Sequence, residues 1–204
     1  MRARDNPFRT EQVERLSYQL QATTWPQLWA RLEALRFRAA IVGAHGTGKT
    51  TLLEELGSRL RERGWLTLFI RRDAEHRTFS PGFVRALVSD VTSQTIILFD
   101  GAEQLRPLAW WRFQRCSWQA GGLIVTTHRP GRLPTLIECR TSAGLLADLA
   151  RQLTDQADDG VRVTAESLFR RHRGNLREAL REWYDRWATA SHPVTPGQGP
   201  ATQR

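Results

Sequence analysis

The spacing of apolar positions divides the chain into two parts of different character. As far as about residue 139, short and nearly continuous apolar runs alternate with segments of helical periodicity. Continuous runs are typical of parallel strands that are covered on both faces. Five strands with helices between them predict an α/β fold with a doubly wound parallel sheet. The predicted strands are 38–42, 66–70, 95–100, 122–126 and 135–139.

Helical spacing of apolar residues predicts the remaining elements. Val13, Leu16 and Leu20 would share one face of a first helix, 10–20, and Pro26 opens a second. Two further helices are predicted between strands, at 83–91 and 103–118. Three more are predicted after the last strand, at 145–153, 164–172 and 175–187. Because the last three follow the sheet with no further strand, they predict a small helical lid.

The predicted organisation has four parts. They are an N-terminal helical segment (1–36), an α/β core (37–141), the helical lid (142–188) and a tail (189–204). From Ala188 the chain is rich in Pro, Gly, Ser, Thr and Gln, so we predict that the tail is disordered.

The composition and the apolar runs argue against a disordered, collagen-like or low-complexity chain and against a membrane-spanning protein. The chain is 40% hydrophobic and 25% charged, as in ordinary globular proteins. No apolar run approaches the length of a membrane span, and the N-terminus lacks the apolar core of a secretory signal. Cys116 and Cys139 are isolated, which predicts free thiols and a cytoplasmic protein.

The net charge of +9 comes almost wholly from arginine, since Lys49 is the only lysine among 30 basic residues. So strong an arginine bias weakens any functional argument from charge alone. It also indicates that position 49 needs a flexible ammonium group, for which a planar guanidinium is no substitute.

Lys49 lies in a glycine-rich loop that matches the phosphate-binding pattern G-x-x-x-x-G-K-[ST]. A predicted strand precedes the loop and a predicted helix follows it, which is the order that phosphate binding requires. We expect Lys49 to reach the β- and γ-phosphates of ATP and the Thr50 hydroxyl to coordinate Mg²⁺. The predicted nucleotide-binding residues are Gly43, Ala44, His45, Gly46, Thr47, Gly48, Lys49, Thr50 and Thr51.

A second motif ends the predicted strand 95–100. Asp100 lies at the carboxyl end of this strand, where ligands bind in open α/β sheets, and is the second predicted magnesium residue. Glu103, the nearest carboxylate, either orients the attacking water or is a solvated residue in the first turn of a helix. Thr127 and His128 follow the next strand and either sense the γ-phosphate or form a turn before Pro130.

These motifs resemble the ATP-hydrolysing P-loop proteins that carry an extra strand between the two nucleotide-binding strands, and in particular the AAA+ ATPases. The run Arg173–Leu180 resembles the start of the third lid helix in that family. The resemblance implies that Arg177 contacts the γ-phosphate; otherwise Arg177 is a surface residue of a basic helix. The segment 6–8 resembles the one that covers adenine in related ATPases.

Two features depart from the AAA+ pattern. About eight residues separate the fourth and fifth predicted strands, which leaves no room for the helix that usually carries an arginine finger. Gly101 follows Asp100 where many such ATPases have glutamate. Both features are more similar to the STAND branch, which implies a slow nucleotide switch.

The sequence therefore predicts an ATP-binding protein, a slow Mg²⁺-dependent ATPase that changes conformation with its nucleotide. An accessory ATPase associated with nucleic acid is the first alternative, because of the net charge and the tryptophans within basic helices. A small-molecule kinase is the second. A protein partner is expected, and the sequence leaves its identity and the oligomeric state open.

Overall fold

A five-stranded parallel sheet forms the centre of one of two units into which the chain divides, the unit that spans residues 17–141. The computed structural model describes residues 6–13, 15–71, 89–154 and 159–190. The strands are β1 (Arg38–Val42), β2 (Leu66–Arg71), β3 (Thr95–Asp100), β4 (Gly122–Thr127) and β5 (Thr135–Glu138), in the order β2-β3-β4-β1-β5. The predicted α/β class and parallel sheet are confirmed.

Strand β4 lies between β1 and β3, as the sequence resemblance implies. In the sheet, Val42 pairs with Thr127 across β1 and β4, and Phe99 pairs with Val125 across β3 and β4. The glycine loop, Asp100 and Thr127 therefore all follow the carboxyl ends of adjacent parallel strands. This is the edge of an α/β sheet at which ligands bind.

Alternate side chains of the strands build a separate apolar core on each face of the sheet. On one face, Leu28 and Leu32 of α2 (Trp25–Ala34) pack together with residues of α3 (Lys49–Glu62) such as Leu53. On the other face, Phe113 of α4 (Pro107–Cys116) packs against Phe99, with ring centroids 5.0 Å apart. Burial on both faces explains the continuous apolar runs of the central strands β1, β3 and β4, whereas the edge strands β2 and β5 are only partly buried.

The second unit, residues 1–16 with 142–204, is helical over its described residues. It contains α1 (Thr10–Val13), α5 (Ala143–Thr154), α6 (Asp159–Arg171) and α7 (Leu176–Ala190). The three longer helices confirm the predicted helical triplet. The unit boundary falls within the predicted N-terminal segment 1–36, because residues 17–36 are grouped with the sheet.

The predicted first helix, 10–20, is wrong in its length, because α1 ends at Val13. The sequence interpretation placed Val13, Leu16 and Leu20 on one face. In the structure, Val13 packs in the core of the helical unit, whereas Leu20 packs in the core of the sheet unit. Since a short helix depends on packing of its apolar face, the division of these side chains between two cores ends it early.

Other boundaries also differ from the prediction. The predicted helix 103–118 is replaced by a single 3-10 turn (Ala102–Gln104) followed by α4, because Pro107 lacks an N–H group and favours the first position of a new helix. Helix α7 continues to Ala190, so residues 189 and 190, which were predicted to begin the tail, are helical. The predicted helix 83–91 lies largely outside the described residues, as does the tail from residue 191.

Among the described residues, no helix combines the length and the apolar character that crossing a membrane requires.

Phe8 ties the N-terminal segment to the helical unit. Its side chain is 3% exposed, and its ring lies 5.3 Å from Trp183 and 5.7 Å from Trp187, measured between centroids. We expect Phe8→Ala to lower the free energy of unfolding of this unit by about 3–5 kcal/mol, since the change removes a buried aromatic ring. Urea unfolding followed by tryptophan emission measures the change.

Val163→Ala provides a control within the same unit, because Val163 is 60% exposed and should change stability by less than about 0.5 kcal/mol. An equal effect of the two substitutions would show that Phe8 is not part of the core.

Candidate nucleotide and magnesium site

The glycine loop connects the carboxyl end of β1 to the start of α3. Gly46 and Gly48 have φ angles of 71° and 82°, a left-handed conformation that favours glycine. A Cβ atom at Gly43 would lie 2.6 Å from the Thr47 hydroxyl and 2.9 Å from the Cys139 carbonyl. The loop is therefore wound tightly, with its glycines at the positions where other residues would strain or clash. Backbone of this kind turns successive N–H groups toward an anion.

The Lys49 side chain folds back over the loop. Its ammonium donates hydrogen bonds to the carbonyls of Gly43 at 2.8 Å and Ala44 at 2.7 Å, and the residue is 9% exposed. Thr47 also donates to the Ala44 carbonyl, at 2.9 Å. The only lysine of the chain is thus a nearly buried cation inside the phosphate-binding loop.

Thr50 and Asp100, the two residues predicted to hold magnesium, are in direct contact. The Thr50 hydroxyl donates to one carboxylate oxygen of Asp100 at 2.8 Å, and the Thr126 hydroxyl donates to the other at 2.6 Å. Thr126 in turn accepts a hydrogen bond from the Gly101 N–H at 2.8 Å. Sequence reasoning missed Thr126 as a site residue, because only the strand register shows that it lies beside Asp100.

Oxygen donors of this kind fit Mg²⁺, which is usually bound through one or two carboxylates together with substrate phosphates. Within the described parts of the chain, no group of three or more His, Cys, Asp or Glu side chains is arranged to hold a metal without such help. The Thr50 hydroxyl and the Asp100 carboxylate thus suit a cation that arrives with a nucleotide.

Arg71 is a second residue that the sequence did not single out. It ends β2 and pairs in register with Asp100, so that its Nε atom lies 3.9 Å from the Asp100 carboxylate. Its guanidinium also contacts the Glu54 carboxylate of α3 at 2.5 Å. A positive charge therefore lies beside the predicted magnesium residue, and Glu54 holds it there.

Glu103 and His128 lie together next to the loop. The Nε2 atom of His128 is 3.4 Å from a Glu103 carboxylate oxygen, and its ring centroid lies 3.9 Å from that of His45. The second Glu103 oxygen is buried and has no hydrogen-bond partner in the structure. Burial, opposed in part by the Glu103 carboxylate, lowers the pKa of His128 below its usual value, with Lys49 and His45 adding to the effect. His128 is therefore neutral at neutral pH.

The Thr127 side chain has a different environment. Its hydroxyl donates to the Arg129 carbonyl at 2.9 Å, and the residue is almost completely buried. Of Thr127 and His128, it is His128 whose side chain lies with Glu103 and His45. Between Thr127 and β5 the chain forms bends and no helix, in agreement with the short connection seen in the sequence.

Tyr18 packs against the loop from the N-terminal side. A Cβ atom at Gly48 would come within 3.0 Å of its ring, and the Cys139 thiol lies near its hydroxyl. Burial is the main cause that raises the pKa of both groups, so both are neutral at physiological pH. Tyr18 is thus an aromatic residue beside the loop, and Phe8 of the segment 6–8 is buried in the core of its own unit.

Arg177 lies in the first turn of α7, in the helical unit, and its side chain is exposed. Asn175 caps this helix, since its side chain accepts a hydrogen bond from the Glu178 N–H at 3.2 Å. The contact of Arg177 with a γ-phosphate stays a prediction.

Comparisons with known proteins agree with this fold. No family model and no curated protein matches the chain. Among solved structures it is similar to RuvB of Thermotoga maritima (TM-score 0.58, 21% identity, 83% of this chain and 64% of RuvB). It is also similar to the Orc1 protein of Aeropyrum pernix in complex with DNA (TM-score 0.60, 19% identity, 91% of this chain and 63% of Orc1).

Both Thermotoga maritima RuvB structures are variants; the second, with a different substitution from the first, aligns with a TM-score of 0.51 at 20% identity, over 76% of this chain and 58% of that chain. The chain thus spans less than two thirds of the length of each protein. RuvB and Orc1 are AAA+ P-loop ATPases. The chain shares with these solved structures its α/β fold, a five-stranded parallel sheet with helices packed on both faces.

Proposed function

We propose that the chain binds ATP together with Mg²⁺, hydrolyses it slowly, and changes conformation with the nucleotide. The observation that carries this proposal is the 2.8 Å hydrogen bond between Thr50, which follows the loop lysine, and Asp100 at the end of β3. Two motifs 50 residues apart in the sequence meet at the one edge of the sheet where a nucleotide would bind.

Each residue of the site has a defined part in this proposal. Lys49 would exchange its two carbonyl partners for oxygens of the β- and γ-phosphates, and the loop N–H groups would bind the same phosphates. Thr50 and Asp100 would hold Mg²⁺, which when bound neutralises charge on the phosphates. Catalysis of this kind depends on positioning and electrostatics, with no covalent intermediate on the protein.

The direct test is an assay of phosphate release from ATP by the full chain, with and without Mg²⁺. We expect slow, Mg²⁺-dependent formation of ADP and phosphate. The kinase alternative predicts instead that little phosphate is released unless an acceptor is supplied, and that a phosphorylated acceptor accumulates. An absence of both nucleotide binding and turnover would overturn the proposal.

Glu103 is the residue that we assign to the attacking water. Its carboxylate has one buried oxygen without a partner and lies beside a neutral His128, so it can accept a proton from a water molecule. We expect Glu103→Gln to slow hydrolysis by about 10²-fold or more, while the Kd for ATP changes less than about twofold.

Glu138→Gln is a matched control for Glu103→Gln, since the Glu138 side chain is 51% exposed and paired with Arg140 on the surface. It should leave the hydrolysis rate unchanged. If Glu103→Gln behaved like this control, Glu103 would be an ordinary polar residue of the 3-10 turn.

Arg71 should oppose the binding of magnesium, because its charge lies beside Asp100. We expect Arg71→Gln to raise the affinity of the ADP-bound protein for Mg²⁺ about three- to tenfold, the size of a screened charge–charge interaction near a surface. Calorimetric titration with MgCl₂ measures this effect without any turnover. Arg71→Lys retains the charge and should differ little from the parent, whereas weaker Mg²⁺ binding in Arg71→Gln would contradict the assignment.

The helical unit would provide the conformational response. If Arg177 contacts the γ-phosphate, that contact exists with ATP and is lost with ADP. A ligand shifts a conformational equilibrium only by its difference in affinity for the two states, so this single contact can distinguish the nucleotides. A cytoplasmic location and a protein partner that reads the change remain predictions from the sequence.

A further inference from the structure

Helix α4 and the turn after it expose three large apolar side chains. Leu108 and Trp111 are each 58% exposed and Trp118 is 77% exposed. The buried side of the same helix carries Trp110 and Phe113, which pack on the sheet, so these three side chains are not needed for the core. Neighbouring exposed apolar side chains of this size are typical of binding surfaces.

Arginine is the charged residue of this surface. Arg112 and Arg115 are exposed on α4, one helical turn from Leu108 and Trp111, so they share a face with them. No aspartate or glutamate occurs between Glu103 and Glu138, whereas five arginines do. The arginine bias of the whole chain does not by itself account for the positive charge of this stretch, because acidic residues are also missing from it.

Contacts with Arg38 fix the position of Trp118. The Arg38 guanidinium lies 5.6 Å from the centroid of its ring, and one nitrogen of that guanidinium donates to the carbonyls of Ser117, Trp118 and Ala120 at 3.1–3.3 Å. These bonds fix the turn that carries the ring. A fixed and exposed indole loses little conformational freedom when another flat group stacks on it.

We propose that Leu108, Trp111, Arg112, Arg115 and Trp118, called here the α4 surface, bind single-stranded nucleic acid. Aromatic rings interleaved with cations are what a single strand requires, since bases stack on the rings and phosphates pair with the cations. An apolar protein helix suits the surface less well, because Arg112 and Arg115 lie between the two tryptophans along the chain. The proposal is independent of ATP hydrolysis.

The test is fluorescence anisotropy of a labelled 20-nucleotide oligo-dT titrated with the full chain, without nucleotide and at several salt concentrations. We expect binding at low salt, and a loss of about five- to a hundredfold in affinity for Trp118→Ala or Trp111→Ala, the range for loss of one stacked base. Trp118→Phe keeps a ring and should recover most of the affinity.

Matched charge variants distinguish a local binding site on the α4 surface from general electrostatic attraction between the basic protein and the nucleic acid. Arg112→Gln with Arg115→Gln should weaken binding and reduce the salt slope by about 0.7 for each arginine. Arg140→Gln with Arg162→Gln removes the same charge from exposed positions elsewhere and should have a much smaller effect.

Four results would overturn the proposal. They are the absence of oligo-dT binding at low salt, equal losses in the two charge pairs, and binding of the same-sequence duplex as tightly as the single strand. The fourth is binding of poly-glutamate with the same dependence on Trp111 and Trp118, which would identify the α4 surface as a site for acidic protein segments.

Discussion

Replacing Lys49 with alanine is expected to abolish ATP binding or to weaken it severely. The ammonium is the only lysine charge of the chain, it is 9% exposed, and it lies within the loop that would surround the phosphates. Removing one partner of a buried charged pair costs about 2–5 kcal/mol, which is about 30- to 5,000-fold in affinity. Calorimetric titration of the variant with ATP and Mg²⁺ gives the change directly.

Lys49→Arg should also lose ATP binding, since the guanidinium is larger than the ammonium and its planar fork differs in geometry from the group that the loop would place on the phosphates. Far-ultraviolet circular dichroism establishes whether both variants remain folded. A folded Lys49→Ala protein that binds ATP as tightly as the parent would show that the glycine loop is not the nucleotide site.

Asp100→Asn is expected to reduce hydrolysis by about 10²-fold or more and to remove its dependence on Mg²⁺. The amide retains the shape of the carboxylate but not the charge that attracts the cation. ATP should still bind, because the loop and Lys49 are unchanged. Phosphate release measured over a range of Mg²⁺ concentrations, together with the Kd for ATP, separates the two effects.

Thr126→Val is the control that tests how Asp100 is held. It removes the 2.6 Å hydrogen bond to the carboxylate and keeps the negative charge, so we expect a smaller loss of about tenfold. Turnover by Asp100→Asn at the parent rate, with unchanged Mg²⁺ dependence, would contradict the metal assignment.

The central strands β1, β3 and β4 could be predicted from the sequence because burial on both faces leaves a continuous apolar run in each. The two motifs of the site could also be predicted, since Lys49, Thr50 and Asp100 have the residue types that phosphate and Mg²⁺ binding require. The length of α1 could not. Val13 and Leu20 follow helical spacing, but they pack in different cores, and the spacing does not say which core an apolar side chain joins.

The residues that surround Asp100 were beyond sequence reasoning for a different reason. Thr126 and Arg71 lie beside it through strand pairing, and the register of parallel strands joined by long connections cannot be read from one sequence. Tyr18 is close to Gly48 only because residues 17–36 belong with the sheet. By contrast, Glu103 and His128 follow the ends of adjacent strands, which was enough to select both as candidates.

Hydrogen exchange of the full chain, compared without nucleotide, with ADP and with slowly hydrolysed ATPγS in the presence of Mg²⁺, tests the central claim most directly. We predict that both nucleotides slow exchange over residues 43–53. We also predict that ATPγS slows exchange over 142–188 more than ADP does, and that Arg177→Ala removes this difference, since only the γ-phosphate distinguishes the two states. Unchanged exchange over 43–53 would contradict nucleotide binding by the loop, and equal protection of 142–188 by ADP and ATPγS would contradict the switch.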